Sequence, residues 1–154
     1  MLQNQVMAAS LFRFLGYVDW PPEALPQGAP YLIGVIGADA IADELAAVVA
    51  SRTINDRAVK VRRMKAGEPL DAVHALFVGG SAGARHLSQR ARRSSVLIVT
   101  DADGALDHGS MINFCLVDDR VRFEVALDVL EDAGLKVSSR MLGVAFRVRQ
   151  SSSR

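Results

Sequence analysis

The segment Gly79-Gly80-Ser81-Ala82-Gly83 matches G-x-S-x-G. In hydrolases this turn lifts a serine hydroxyl above a sheet, so that it can attack a carbonyl. The segment follows a short apolar run and precedes a helical spacing, which is the context a nucleophile elbow needs. A triad also needs a base and an acid. The only histidine after a plausible acid is His108, beside Asp107, close behind Ser81. The α/β-hydrolase architecture also needs more strands than 154 residues supply. The competing reading makes Ser81 the N-cap of the next helix. The same turn could cradle a phosphate on helix amides. It lacks the GK[ST] ending of a P-loop and the G-x-G-x-x-G spacing of a dinucleotide fold, as does Gly34-Val35-Ile36-Gly37.

Other chemistry-bearing residues are thinner. Asp101, Asp103 and Asp107 cluster after a predicted strand, where α/β sheets place ligands, and carboxylates there suit Mg²⁺ or Ca²⁺. The run lacks the further acid and the terminal Glu of an EF-hand loop, so a solvated loop is favoured and no metal is assigned. Arg57, Lys60, Arg62, Arg63 and Lys65 form one basic group. Arg85, Arg90, Arg92 and Arg93 form another. No aromatic residues are interleaved for base stacking, so a charged strand and a solvated helix face are preferred to a nucleic-acid surface. His74 and His86 lack metal-ligand partner spacing and are read as structural. Cys115, between Phe114 and Leu116, is read as packed rather than catalytic. No catalytic residue is assigned.

Composition agrees with these exclusions. The 154 residues hold 18 Lys+Arg against 17 Asp+Glu, a formal charge of +1, with 50% hydrophobic and 23% charged residues. That is the composition of an ordinary globular domain. Near-neutral charge speaks against a nucleic-acid partner. No apolar run approaches the ~20 residues of a membrane span, so no direct membrane insertion is expected. The single cysteine excludes an intrachain disulfide. Met1 to Gln5 carry neither a basic n-region nor an apolar h-region, so no signal peptide is read in this sequence.

These residues need elements to position them. Met7, Leu11, Phe14, Leu15 and Val18 share one face of a helix. Trp20-Pro21-Pro22 stops that helix, because proline lacks an amide hydrogen and disfavours helical backbone before it. After a Pro/Gly-rich connector, Tyr31 to Ile36 is a strand ended by Gly37. Asp39 is read as the N-cap of a helix carrying Ile41, Leu45, Val48 and Val49. Val59 and Val61 alternate with Lys60 and Arg62, an edge strand wet on one face. Ala75 to Val78 and Ser95 to Val99 are buried strands, with a helix from about 84 to 92 between them. Met111–Val117 and Arg120–Val125 flank Asp118-Asp119, which predicts an antiparallel hairpin. A helix from Leu127 to Ala133 ends at Gly134, and a shorter one begins at Ser139. The fold class is α/β: a single-domain, Rossmann-like three-layer sandwich with a mainly parallel sheet closed by the C-terminal hairpin. The domain is residues 1–146, with 147–154 a polar tail.

The motifs resemble a known family. Phe14-Leu15-Gly16-Tyr17-Val18-Asp19-Trp20-Pro21 is similar to the F-x-x-Y-V-x-W-P opening of YfiR-like proteins. Gly34–Gly37, His74–Val78 and Gly109-Ser110-Met111-Ile112-Asn113-Phe114 resemble their later segments in order. Val121-Arg122-Phe123-Glu124-Val125 and Ser138-Ser139-Arg140-Met141-Leu142 complete the pattern. The likeness spans residues 5–146.

The resemblance implies a periplasmic, non-enzymatic regulator without cofactor. It would bind the periplasmic part of a membrane diguanylate cyclase and lower cyclic-di-GMP synthesis and biofilm formation. Its motif residues would be Phe14, Tyr17, Trp20, Pro21, Asn113, Phe123, Glu124, Ser139 and Arg140, either as partner contacts or as packing. Trp20 would cover the end of the first helix, Asn113 tie down a turn, and Arg140 pair with Glu124 or a helix end. The chain departs from the pattern at Val73, where a cysteine is common, and at Ala126, where an asparagine is common. A homodimer stays open. Two alternatives also stay open: a small serine hydrolase using Ser81, and a small-ligand-binding module.

Overall fold

The computed structural model describes residues 2–80 and 95–150. The first helix, α1 (Leu2–Tyr17), buries Met7, Leu11, Phe14 and Leu15 on the predicted face, together with Ala8 and Phe12. It ends before Trp20-Pro21, and Val18–Asp19 continue as a two-residue strand, β1. The following strands are β2 (Tyr31–Ile36), β3 (Thr53–Ile54), β4 (Arg57–Met64), β5 (Ala75–Val78) and β6 (Leu97–Thr100). Helix α2 (Asp39–Val49) lies between β2 and β3. A 3-10 turn (Ala105–His108) leads to β7 (Ile112–Val117) and β8 (Arg120–Ala126). Then come α3 (Leu127–Asp132), β9 (Lys136–Val137), α4 (Ser139–Val144) and β10 (Arg147–Arg149).

Eight strands form one sheet in the order β10-β8-β7-β6-β5-β2-β4-β3. The five inner strands from β7 to β4 are parallel, β3 runs against β4, and β8 runs against β7. The architecture is a single α/β domain with a mainly parallel sheet. β5 and β6 are buried throughout, so they read as continuous apolar runs rather than alternating ones. Between β7 and β8, Asp118 and Asp119 both take positive φ. That is the backbone of a tight two-residue hairpin turn, matched to the twist of its strands.

Four expectations change. The hairpin does not form the sheet's margin, because β10 pairs parallel to β8 outside it. Residues 147–149, read as polar tail, are therefore part of the sheet, and Arg147 and Arg149 find acidic partners. Asp39 is the first residue of α2, not its cap; Ala38 takes the cap position without a side-chain hydrogen bond. β4 is flanked at its start by β3, which pairs only with Arg57 and Ala58, so the remainder of β4 is the outer strand there.

The strand period of two puts Arg63, Val35, Phe77, Val99, Ile112 and Phe114 on one face of the sheet. α1 and α2 both cover that face: Phe14 packs on Phe114, and Asp43 pairs with Arg63. The expected helix at 84–92 lies outside the described residues, as does Ser81.

Two joints fix the C-terminal third. Gly134, at φ +80°, ends α3 with Leu135 N–H bonded to Leu130 O at 3.2 Å and Gly134 N–H to Glu131 O at 2.9 Å. This satisfies carbonyls the helix would otherwise leave bare, and Leu135 is buried beside them. β9 pairs antiparallel with β1, Val18 opposite Val137, so the end of α1 is stitched to the start of α4.

Candidate functional site

The motif residues fall at two ends of the sheet. The first group stands at its foot, where the parallel strands begin. Proline ends α1 and turns the chain, so Trp20 drops into the core at 8% exposure. Its indole N–H donates to His74 O at 3.1 Å, and its ring meets Tyr31 and His74 edge-on, each at 5.8–5.9 Å. Trp20 thus covers the sheet's foot. The next residue, Pro21, accepts from Ala24 and Leu25 N–H and shapes the connector.

His74 is the imidazole within this foot. Leu32 N–H donates to its Nδ1 at 3.0 Å, and Nε2 donates to Ala24 O at 2.9 Å. Burial holds its pKa below the ordinary histidine value; the bond to Ala24 opposes this, and the Arg57 charge adds to the lowering. Beside it an open groove of about 590 Å³ is lined by Glu23, Leu32, Lys60, Leu70 and Asp71, among others.

Phe14 and Phe123, far apart in sequence, meet edge-to-face at 5.1 Å, and Phe14 also stacks on Phe114. Both are packing residues here. Tyr17 is half-buried, and its carbonyl accepts from Ser138 N–H at 2.8 Å.

The second group lies at the other end, where β6 finishes. Thr100, Ser110 and Asn113 are the buried polar residues there. Thr100 Oγ1 donates to Asn113 Oδ1 at 2.7 Å, and the same oxygen accepts from Ala102 N–H at 3.1 Å. Asn113 Nδ2 donates to Glu124 Oε2 at 3.0 Å. Asn113 therefore pins the loop after β6. Glu124 passes the network outward to Arg147 at 3.6 Å, and Arg149 pairs with Asp107 and Asp128. The expected Arg140–Glu124 pair does not form: Glu124 is taken by Arg147, which β10 delivers directly opposite it.

Ser139 and Arg140 are exposed at the start of α4. The cap is Ser138, whose Oγ accepts from Met141 N–H. Val144 at the end of α4 and Phe146 just beyond it are exposed, and the Arg122 and Arg147 guanidiniums lie over the Phe146 ring at 5.5 and 5.4 Å. The sequence reading missed this cluster because it placed Arg147 in a tail; the Phe146-Arg147 pair behind a predicted helix was its only local signal.

Catalytic chemistry finds little here. Among the described residues no His/Cys/Asp/Glu group of three is placed to hold a metal ion. Asp101 instead accepts from Gly80 N–H at 3.4 Å, and Asp107 pairs with Arg149. Burial first, then the Glu124 charge, pushes the Cys115 thiol up, away from the reactive thiolate. What the geometry offers is a surface: Arg140, Val144, Phe146 and Arg147, carried on α4, β10 and the link between them.

The YfiR/HmsC-like family profile matches residues 4–146, nearly the whole chain. The chain belongs to the YfiR/HmsC-like family. Among solved structures it is similar to a conserved domain protein from Vibrio cholerae O1 biovar El Tor, with a TM-score of 0.63 at 10% identity. The alignment covers 92% of this chain and 60% of that one, so this chain spans about three-fifths of the length of that relative. At that identity the likeness is one of fold. Among curated proteins no sequence relative matches. Among the described residues no helix is long and apolar enough to cross a membrane.

Proposed function

We propose that this YfiR/HmsC-like chain is a non-enzymatic periplasmic regulator that binds the periplasmic part of a membrane diguanylate cyclase and lowers cyclic-di-GMP synthesis. The observation that carries the reading is the family match over residues 4–146. A binder of this kind works by preference: it shifts the cyclase toward an inactive conformation by the difference in its affinity for the two states. The surface of Ser139, Arg140, Val144 and Phe146 suits that task, since it pairs apolar area with guanidinium groups that are not committed to the core. The fold completing this reading is a Rossmann-like three-layer sandwich.

Deleting the gene in the source bacterium should raise cyclic-di-GMP and biofilm; an unchanged level would sink the repressor role. A second reading, a small-ligand module, draws support from the groove beside His74. A ligand bound only by the folded state must raise the melting temperature. Silence across amino acids and nucleotides in a thermal-shift screen counts against it.

A further inference from the structure

β4 is eight residues long, and β3 covers only its first two, Arg57 and Ala58. Register fixes which backbone groups of the remainder face outward. His74 N–H bonds to Leu32 O at 2.9 Å and Gly79 N–H to Ile36 O at 2.8 Å, so the even-numbered residues of β2 point toward β5. Successive residues of a strand turn their hydrogen-bonding groups to opposite sides, so Tyr31, Ile33 and Val35 point toward β4. These three stand opposite Val59, Val61 and Arg63. In a parallel pair such groups bond to the residues flanking their partner, here Ala58, Lys60, Arg62 and Met64. Val61 and Arg63 therefore turn their N–H and C=O away from the sheet.

The hairpin at the start of β4 gives the same parity. Ile54 and Arg57 flank the two-residue turn Asn55-Asp56, both at positive φ, and the pair flanking such a turn exchanges both its bonds. Arg57 thus faces β3, and every second residue after it faces the same way. β3 does not reach Val61 or Arg63, and among the described residues no turn or loop group bonds to their backbone.

The side chains along this edge carry one sign of charge. Lys60 and Arg62 are exposed, and neither pairs with a carboxylate among the described residues. Arg63, on the α2 face, is matched by Asp43, and Val61 is half-buried on that face. Cations on an edge ordinarily keep strands from pairing. They do so selectively. A second copy of this edge would bring Lys60 and Arg62 against like charges, which are destabilising when directly opposite. A strand with carboxylates at those positions meets opposite charges instead.

We propose that the open edge of β4, residues 59–64, docks an extended acidic segment of a partner protein, added to the sheet as a further strand. Its backbone would exchange hydrogen bonds with Val61 and Arg63. Two carboxylates, one residue apart, would face Lys60 and Arg62, and the apolar residue between them would lie beside Val61. The main chain supplies affinity, and the carboxylate spacing supplies specificity. This edge and β10, which adjoins the α4 surface, stand at opposite ends of the sheet order, so the proposal is independent of the regulatory reading.

The probe is a synthetic peptide of alternating glutamate and valine, titrated into the isotope-labelled full chain and followed by amide resonances and hydrogen exchange. The Val61 and Arg63 amides should shift and gain protection, and binding should weaken as salt is added. Two further versions, N-methylated at the valines or at the glutamates, keep every charge and lose alternate donors. At least one should bind about tenfold more weakly or worse. A peptide with lysine in place of glutamate should not bind. Lys60→Glu combined with Arg62→Glu should reverse that preference, with far-UV circular dichroism confirming that the sheet is kept. If the double variant does not fold, the peptides on the wild-type chain decide alone. Full affinity in both N-methylated versions would reduce the contact to charge attraction and overturn the proposal. So would equal binding of the lysine peptide, shifts confined to residues outside β4, or no binding at about 1 mM peptide.

Discussion

The foot of the sheet and its opposite corner are both built from motif residues, yet they handle polarity in opposite ways. At the foot, Trp20, Tyr31 and His74 bury three rings and spend their indole and imidazole hydrogen-bonding groups on backbone. At the corner, Asn113 is 1% exposed, Glu124 intermediate and Arg147 open, so one network runs from core to solvent. The foot can change state only by breaking. The corner can lose its outer members while its inner ones stay satisfied. A motif residue's burial therefore indicates whether its substitution will read out as stability or as binding.

Substitutions can break or sharpen that contrast. Trp20→Ala removes a buried ring and its bond to His74, and should cost about 3–5 kcal/mol in denaturant unfolding. A loss well under that would mean the foot is not an anchor. Asn113→Ala leaves the Ala102 N–H without its acceptor and the Thr100 hydroxyl with Ser110 alone, for about 1–3 kcal/mol. A smaller value would show that water replaces the amide and that the corner is wetter than its packing suggests. Arg147→Ala, at an exposed ion pair, should cost under about 1 kcal/mol. Arg140→Ala should stay within about 0.5 kcal/mol of wild type in the melt. On the proposed function, Arg140→Ala and Phe146→Ser should still weaken capture of the cyclase's periplasmic domain by calorimetry. Full affinity in both would remove this surface from the interface.

Much of the scaffold was legible because it follows local rules. The helical spacing from Met7 to Leu15, the proline stop at Trp20-Pro21 and the Gly134 terminus each depend on residues within a few positions. So do the apolar runs at Ala75 and Leu97. The failures are non-local. Nothing within reach of Arg147 says that a three-residue strand will dock on β8, since that depends on where α4 returns the chain. The Arg140–Glu124 pairing failed for the same reason: an opposite charge is easy to find in a sequence, but register decides which cation arrives. Asp39 was a sound cap by type, and it lost the position to Ala38 because β2 and Gly37 set where the helix begins.

The sequence by itself determined the element types, the single domain and the family, because periodicity, turn chemistry and motif order are carried by neighbours along the chain. Only the tertiary structure decided what the motif residues do. It placed Phe14 on Phe123, gave Trp20 and both nitrogens of His74 to backbone groups, and left Arg140 in solvent. Burial and hydrogen-bond partners are properties of the space a residue enters, and that space is made by segments remote from it in sequence.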